Sequence, residues 1–402
     1  LEEIDRTIDN PHNYLYYLAT PPLLYGVIPR HLKAEGLNRD GDGFRRIVVE
    51  KPFGYDLSSA LELNRIYLDA FREEQIYRID HFLGKETVQN ILALRFANSV
   101  FEPLWNRNYI DYVEITAVEN MGIGTRGGFY DGVGTLRDMV QNHLAQLLAV
   151  TAMEPPAAFD ASGFRNEVVK VYQSLTPLTG EDIRHSVVRG QYMASEGRKG
   201  YREEEQVPTL SRTETYLAMR LELNNWRWGG VPFYIRTGKQ MPTKVSEIVI
   251  HFKPAPYSLF RCEGGTCPVP NRLVIRIQPN EGIVLRLGMK KPGEGFEVLP
   301  MDMDFSYAEL GRLPTEDAYA RLIEDCIAGD PTLFIRSDAV ESGWRFFDPI
   351  LKYWQDVPEC PLYGYPAGSW GPLEADSLMA RHGASWTNPC KNLTNTDEYC
   401  EL

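Results

Sequence analysis

Residues 75–86 read "QIYRIDHFLGKE". The first five, β-branched and aromatic in part, predict a short strand. Asp80, His81 and Lys85 follow within six positions, and a helical pattern starts near Glu86. A strand that runs directly into titratable side chains and then a helix marks the edge where open α/β sheets place their chemistry. Two earlier stretches have the same form. "NYLYYLATPPLLY" predicts a strand over Tyr14–Ala19, stopped by Pro21 and Pro22. "RRIVVEKPFG" predicts another around Ile47–Val49, punctuated by Pro52 and Gly54. Between them "GVIPRHLKAEGLN" has the length of a crossover helix, and strand–helix–strand is the unit of a parallel sheet. Asp56 predicts an N-cap for a helix over Leu57–Glu74, with Leu61, Leu63, Ile66, Ala70 and Phe71 apolar.

The character changes after Trp105. A helix over Glu86–Asn98 carries Val88, Ile91, Leu92 and Phe96 on one side, and then "YVEITAV" alternates, with Val113, Ile115 and Ala117 facing one way. A long helix is predicted over Val133–Met153. Beyond residue 180, "VVRGQY", "TYLAMRLEL", "VPFYIRTGK", "EIVIHF", "RLVIRIQP" and "GIVLRLGM" succeed one another with few helices between. That succession predicts a broad antiparallel sheet. Helices near Asp317–Ala328 and Ser337–Trp354 close the chain, with Trp344 and Phe347 as packing residues. The fold class is therefore α/β plus α+β: a small parallel piece over residues 1–79, then a large α+β domain over 80–402. "GRKGYREEEQ" reads as a solvated charged loop.

The bulk numbers agree. A chain of 402 residues suggests two domains, and 43% hydrophobic with 11% aromatic residues supplies a real core. The net charge of −13 argues against nucleic acid as a partner. An acidic chain can still bind a phosphorylated metabolite through a local cluster of Lys, Arg and His. No apolar run spans a membrane. The start, "LEEIDRTIDNPHNYLYYLATPP", has no secretory pattern and no initiator Met, so a cytoplasmic and processed, trimmed or incomplete chain is expected. The six Cys residues are read as free thiols. The alternative is a disulfide or metal site using Cys262 and Cys267 of "CEGGTC" with Cys390 and Cys400 of the tail.

Several residues could carry chemistry. On the long helix Leu136, Met139, Val140, Leu144 and Leu147 form an apolar face that also holds His143. Such a His is commonly a satisfied core residue, and it needs a partner at each ring nitrogen. Asp138, five residues earlier, points away from it around an α-helix. Asp80, at a strand end, can instead accept from one imidazole nitrogen and leave the other as a base. His81 and Lys85, four apart, would share a face on a first helical turn and cradle a phosphate. Lys51, Lys239 and Lys244 lie at strand ends or turns and add positive charge. Glu119 and Asp138 are carboxylates of the kind that hold sugar hydroxyls. There is no GxGxxG after a strand and no GxxxxGK[ST], and "GIGTRGG" at Gly122–Gly128 is not read as a nucleotide loop.

Taken together, "EKPFG", "RIDHFLGKE", "LRDMVQNHL", "RTGK" and "IQPNE" resemble the glucose-6-phosphate dehydrogenase family, in order over nearly the whole chain, from "YLATPPLLY" to "WGPLEAD". The resemblance implies a Rossmann-type cofactor domain followed by a large domain whose broad sheet makes a homodimer or homotetramer. It implies oxidation of glucose 6-phosphate to the lactone with NADP, or NAD as the alternative acceptor, the first step of the oxidative pentose phosphate pathway, with no metal. His143 would be the base and Asp80 its partner. Substrate contacts would come from Lys51, His81, Lys85, Glu119, Asp138, Lys239, Lys244 and Gln278. Pro21, Pro22, Tyr25 and Lys51 would lie near the cofactor. This sequence departs from the family pattern twice: Phe82 stands where Tyr is common, and the Gly-rich pyrophosphate turn that opens the family is not found. The second departure makes a catalytically incomplete sugar-phosphate-binding remnant the alternative reading. A glycoside hydrolase using Glu119 and Asp138 would leave the Lys and His cluster unexplained.

Overall fold

The strands β1 (Tyr14–Leu18), β2 (Arg45–Val49) and β3 (Ile76–Arg78) lie parallel in that order, with Tyr16 opposite Ile47 and Ile47 opposite Ile76. A computed structural model describes residues 12–257, 259–260, 271–293, 295–307 and 317–389. Ile47, Val48, Val49, Ile76 and Tyr77 are buried, as a parallel sheet covered by helices requires. The helices α1 (Val27–Ala34) and α2 (Leu57–Ala70) supply the crossovers. Asp56 caps α2: its Oδ1 accepts from Ser59 N at 2.7 Å, and Ser59 Oγ accepts from Asp56 N at 3.1 Å. The helix ends at Ala70 rather than Glu74, because Phe71 is extended at φ −131°, ψ 155° and turns its ring into the core. The next helix, α3 (Glu86–Phe96), starts after Lys85 at its N-cap. His81 thus sits in a turn rather than on a shared first helical turn with Lys85.

The large sheet has nine strands in the order β11-β10-β9-β8-β4-β7-β6-β5-β12. These are β4 (Ile110–Val118), β5 (Val187–Met193), β6 (Tyr216–Glu222), β7 (Pro232–Gly238), β8 (Val245–Phe252), β9 (Arg272–Gln278), β10 (Gly282–Lys290), β11 (Val298–Ser306) and β12 (Tyr363–Pro366). Neighbours are antiparallel except β4–β7 and β5–β12, so the broad sheet is mixed. One face packs on α3, on α4 (Ala145–Ala152) and on α5 (Ala161–Ser174), where Ile115, Ile235 and Ile248 meet Leu147 and Leu148 in the main core.

The predicted long helix begins at Leu136, just after Gly134 at φ +74°. Its first nine residues, Leu136–Leu144, are a π-helix, and α4 continues it. Hydrogen bonds from i to i+5 bring residues five apart onto one face. Asp138 and His143 therefore point the same way, contrary to the α-helical expectation. The loop "GRKGYREEEQ" is not simply solvated: Tyr201 is fully buried, and its hydroxyl donates to Asp131 Oδ1 at 3.0 Å.

Two late helices, α6 (Ala318–Ala328) and α7 (Ser337–Asp356), return to the small sheet. Arg46 donates to the carbonyls of Cys326 and Ile327 at 2.6 and 2.7 Å, capping α6. Asn64 donates to Ser337 O at 3.1 Å, and Trp344 Nε1 to Phe53 O at 2.9 Å. Trp344 and Phe347 are buried. Cys326 and Cys360 are buried free thiols; Cys262, Cys267, Cys390 and Cys400 lie outside the described residues. Among the described residues no helix is long and apolar enough to cross a membrane.

Gly54 closes the EKPFG turn at φ +83°, and a Cβ there would come within 2.7 Å of Ala60 Cα and N. Gly54→Ala is expected to cost about 1–3 kcal/mol. An unchanged urea midpoint would show that the turn tolerates a side chain.

Candidate active site

All three strands of the small sheet run their carboxyl ends to one edge, and the π-helix faces it. Asp80 follows β3 and is buried. Its Oδ1 accepts from Phe82 N at 3.0 Å and lies 2.6 Å from His143 Nδ1. On the other side of the ring, His143 Nε2 lies 2.9 Å from Lys51 Nζ. An ammonium has no acceptor, so Nε2 must accept and Nδ1 must carry the proton to Asp80. Burial pushes the Asp80 carboxyl up, but His143 and the neighbouring N–H outweigh it, and it stays below the usual carboxylate range. Phe82 stacks on the imidazole, with ring centres 4.6 Å apart and planes at 20°.

Lys51 Nζ also donates to Asp138 O at 3.0 Å and Asp138 Oδ1 at 3.1 Å. Asp138 Oδ2 is 3.5 Å from Lys239 Nζ, which is paired with Glu119. Burial raises the Asp138 carboxyl, and Lys51 and Lys239 more than reverse it. The result is a row of alternating charge, Lys51, Asp138, Lys239 and Glu119, beside the His143 imidazole. Such paired donors and acceptors can exchange partners with the hydroxyls of a polyol.

The other end is more positive. Lys85 Nζ donates to Gln278 Oε1 at 2.6 Å and lies 4.3 Å from the Phe82 ring centre. Burial, with the charge of Lys244 added, brings the Lys85 ammonium down to about 8. Lys244 is exposed on the turn before β8. Burial, with His143 nearby, brings His81 down to about 4, so at neutral pH it is an uncharged donor or acceptor. The positive charge here belongs to the two lysines. Ligand-type atoms of Asp80, His81 and His143 converge within 4.8 Å; the Asp80–His143 hydrogen bond accounts for that convergence.

On the remaining side, Pro21 and Pro22 are exposed just beyond β1, and Tyr25 is buried. Glu50 accepts from Tyr17 Oη at 2.5 Å and also bonds Tyr319. Tyr319, on α6, stacks on His81 with ring centres 6.0 Å apart. Neither Tyr319 nor Glu50 is legible as a site residue from sequence. Nothing local to "DAYARL" signals a partner more than two hundred residues earlier in the chain.

Residues 1–90 match the family model described as the NAD binding domain of glucose-6-phosphate dehydrogenase, and residues 92–387 match that of its C-terminal domain. The chain belongs to the glucose-6-phosphate dehydrogenase family. The glucose-6-phosphate 1-dehydrogenase of Aggregatibacter actinomycetemcomitans is 54% identical over 393 residues, 97% of this chain and 78% of that protein. That of Treponema pallidum is 50% identical over 404 residues, 99% of this chain and 78% of that protein. Among solved structures, a glucose-6-phosphate dehydrogenase in complex with glucose 6-phosphate matches at TM-score 0.88 and 35% identity, over 96% of this chain and 78% of that one. The enzyme from Mycobacterium avium matches at TM-score 0.80 and 38% identity, over 97% and 80%.

In this glucose-6-phosphate dehydrogenase family member, Lys85 is charged below about pH 8 and neutral above it. Affinity for a phosphate monoester should therefore fall as pH rises through that value. Lys85→Arg, which stays charged, should flatten the decline between pH 7 and 9. A titration with no inflection in the unaltered protein would count against an anion contact at Lys85.

Proposed function

We propose that this chain oxidises glucose 6-phosphate at C1 to the 6-phosphoglucono-lactone and passes the hydride to NADP. The observation that carries this reading is the His143 imidazole. Its Nδ1 is held 2.6 Å from a buried carboxylate, and its Nε2 lies 2.9 Å from the Lys51 ammonium. The C1 hydroxyl takes the place of Lys51 against Nε2, while Lys51 keeps its two bonds to Asp138. His143 takes the hydroxyl proton at Nε2, and Asp80 stabilises the imidazolium that forms. Lys85, Lys244 and Gln278 hold the phosphate, with His81 donating an uncharged hydrogen bond. Glu119, Asp138 and Lys239 hold ring hydroxyls. Most of the acceleration is positioning.

Residues at the carboxyl edge of the small sheet fit a dinucleotide. Pro21–Leu24 are exposed just beyond β1, with Leu23 86% exposed, and the strand ends there also carry the Tyr17–Glu50 pair. When bound, NADP supplies the acceptor for the C1 hydride. The assembled base favours an enzyme over a binding-only remnant, since binding alone would not need a buried Asp–His pair. The same reading extends to assembly. Met289, Met301 and Met303 are exposed on β10 and β11, and they support a homodimer or homotetramer joined through the broad sheet.

The decisive assay follows nicotinamide absorbance with glucose 6-phosphate and NADP. Turnover is expected, and its loss by 10²- to 10⁴-fold in His143→Ala, by order of magnitude, with little change in substrate affinity. Wild-type rates in that variant would remove His143 as the base. Lys85→Ala should weaken glucose 6-phosphate far more than glucose; equal losses for the two sugars would count against a phosphate contact.

A further inference from the structure

Asp138 and His143 can both reach Lys51 because Leu136–Leu144 is a π-helix that starts where it does. A carboxylate outside the described active site meets that start. Glu214 lies on the segment entering β6 and is buried, 6% exposed. Its Oε1 accepts from Leu136 N at 3.0 Å. Its carbonyl accepts from Thr135 N at 3.1 Å and from Thr135 Oγ1 at 2.9 Å. The first N–H groups of a helix have no partner within it, and in a buried site they must find one. Gly134 is fitted to this contact. It sits at φ +74°, and a Cβ there would lie 2.5 Å from Glu214 Oε1.

The next residue extends the arrangement. Thr215 O accepts from Lys239 N at 2.9 Å. One dipeptide therefore fixes the backbone of both the π-helix and the lysine that pairs with Asp138 and Glu119. Burial raises the Glu214 carboxyl, and the Leu136 N–H opposes that rise.

We infer that Glu214 is a positioning residue for the reaction: its carboxylate oxygen holds the first turn of the π-helix in the register that brings Asp138 and His143 together on Lys51. The role is reach and acceptance rather than charge. This inference rests on the proposed dehydrogenase activity, and its test includes a measurement that does not.

Two conservative variants separate the terms. Glu214→Asp keeps the charge but shortens the arm by one methylene and leaves Leu136 N unpaired. Glu214→Gln keeps an acceptor oxygen at the same reach. In Glu214→Asp, kcat should fall on the order of 10²-fold with KM for glucose 6-phosphate nearly unchanged, because the phosphate contacts are untouched. The primary isotope effect on kcat with C1-deuterated substrate should rise as proton and hydride transfer become limiting. A purely structural defect would lower the active fraction and leave that isotope effect where it was. Glu214→Gln should restore kcat to within a few-fold. Independently of turnover, amide exchange over residues 136–144 should quicken in Glu214→Asp and not in Glu214→Gln. Wild-type kcat, isotope effect and exchange in Glu214→Asp would overturn the assignment. So would a Glu214→Gln variant as impaired as Glu214→Asp. Absence of turnover in the unaltered protein would refute the dehydrogenase reading instead, and the exchange comparison would still decide the role of Glu214.

Discussion

The ammonium of Lys51 is the point on which the two halves of the molecule agree. It projects from the end of β2 in the small sheet, and its three partners, Asp138 O, Asp138 Oδ1 and His143 Nε2, all belong to the π-helix of the large unit. Asp80, from the end of β3, closes the arrangement on the far side of the imidazole. Four groups from three elements thus constrain one ring. The proton on Nδ1 and the lone pair on Nε2 follow from that constraint. Asp80 and His143 are buried and Lys51 and Asp138 partly so, and each depends on the others being in place.

The chain as a whole is acidic, at −13, yet the crevice concentrates Lys51, Lys85, Lys239 and Lys244. Their surroundings differ. Lys51 and Lys239 are matched by Asp138 and Glu119, so that end is nearly neutral and rich in exchangeable hydrogen bonds. Lys85 meets an amide oxygen, Lys244 faces solvent, and His81 is uncharged. A polyol with one phosphate has the same asymmetry. An anion arriving at the lysine end is drawn by Lys244 and by Lys85, whose charge Glu281 offsets only in part.

The small sheet was legible because its signals are local: "RRIVV" and "QIYRI" are buried runs bounded by turn residues. β11 was missed because "VLPMDMDFS" alternates Met with Asp on an exposed edge, and β12 because "YGYP" carries Gly and Pro. At the site, the residue types and their order were legible, but the geometry of the helix was not. "LRDMVQNHL" satisfies an α-helical apolar period as well as any sequence does, with Leu136, Met139, Val140 and Leu144 on one face. Its π register comes from Gly134 and Glu214, the second of them on the segment entering β6, 78 residues away from Leu136. A tertiary contact of that kind leaves no mark in a local window. The loop "GRKGYREEEQ" was misread for the same reason, since Asp131, the half-buried partner of Tyr201, is 70 residues distant.

The return of α6 and α7 to the small sheet has a consequence for synthesis. Arg46 finds the Cys326 carbonyl 280 residues later, and Trp344 meets Phe53 across 291. At ribosomal speeds of roughly 5–20 residues per second, the first strands wait some tens of seconds, by order of magnitude, before their last supports emerge. During that interval β2 and β3 lack the helices that cover them, and their apolar side chains stand available to chaperones and to other nascent chains. The small sheet, made well before α6 and α7, is thus finished only once they have emerged.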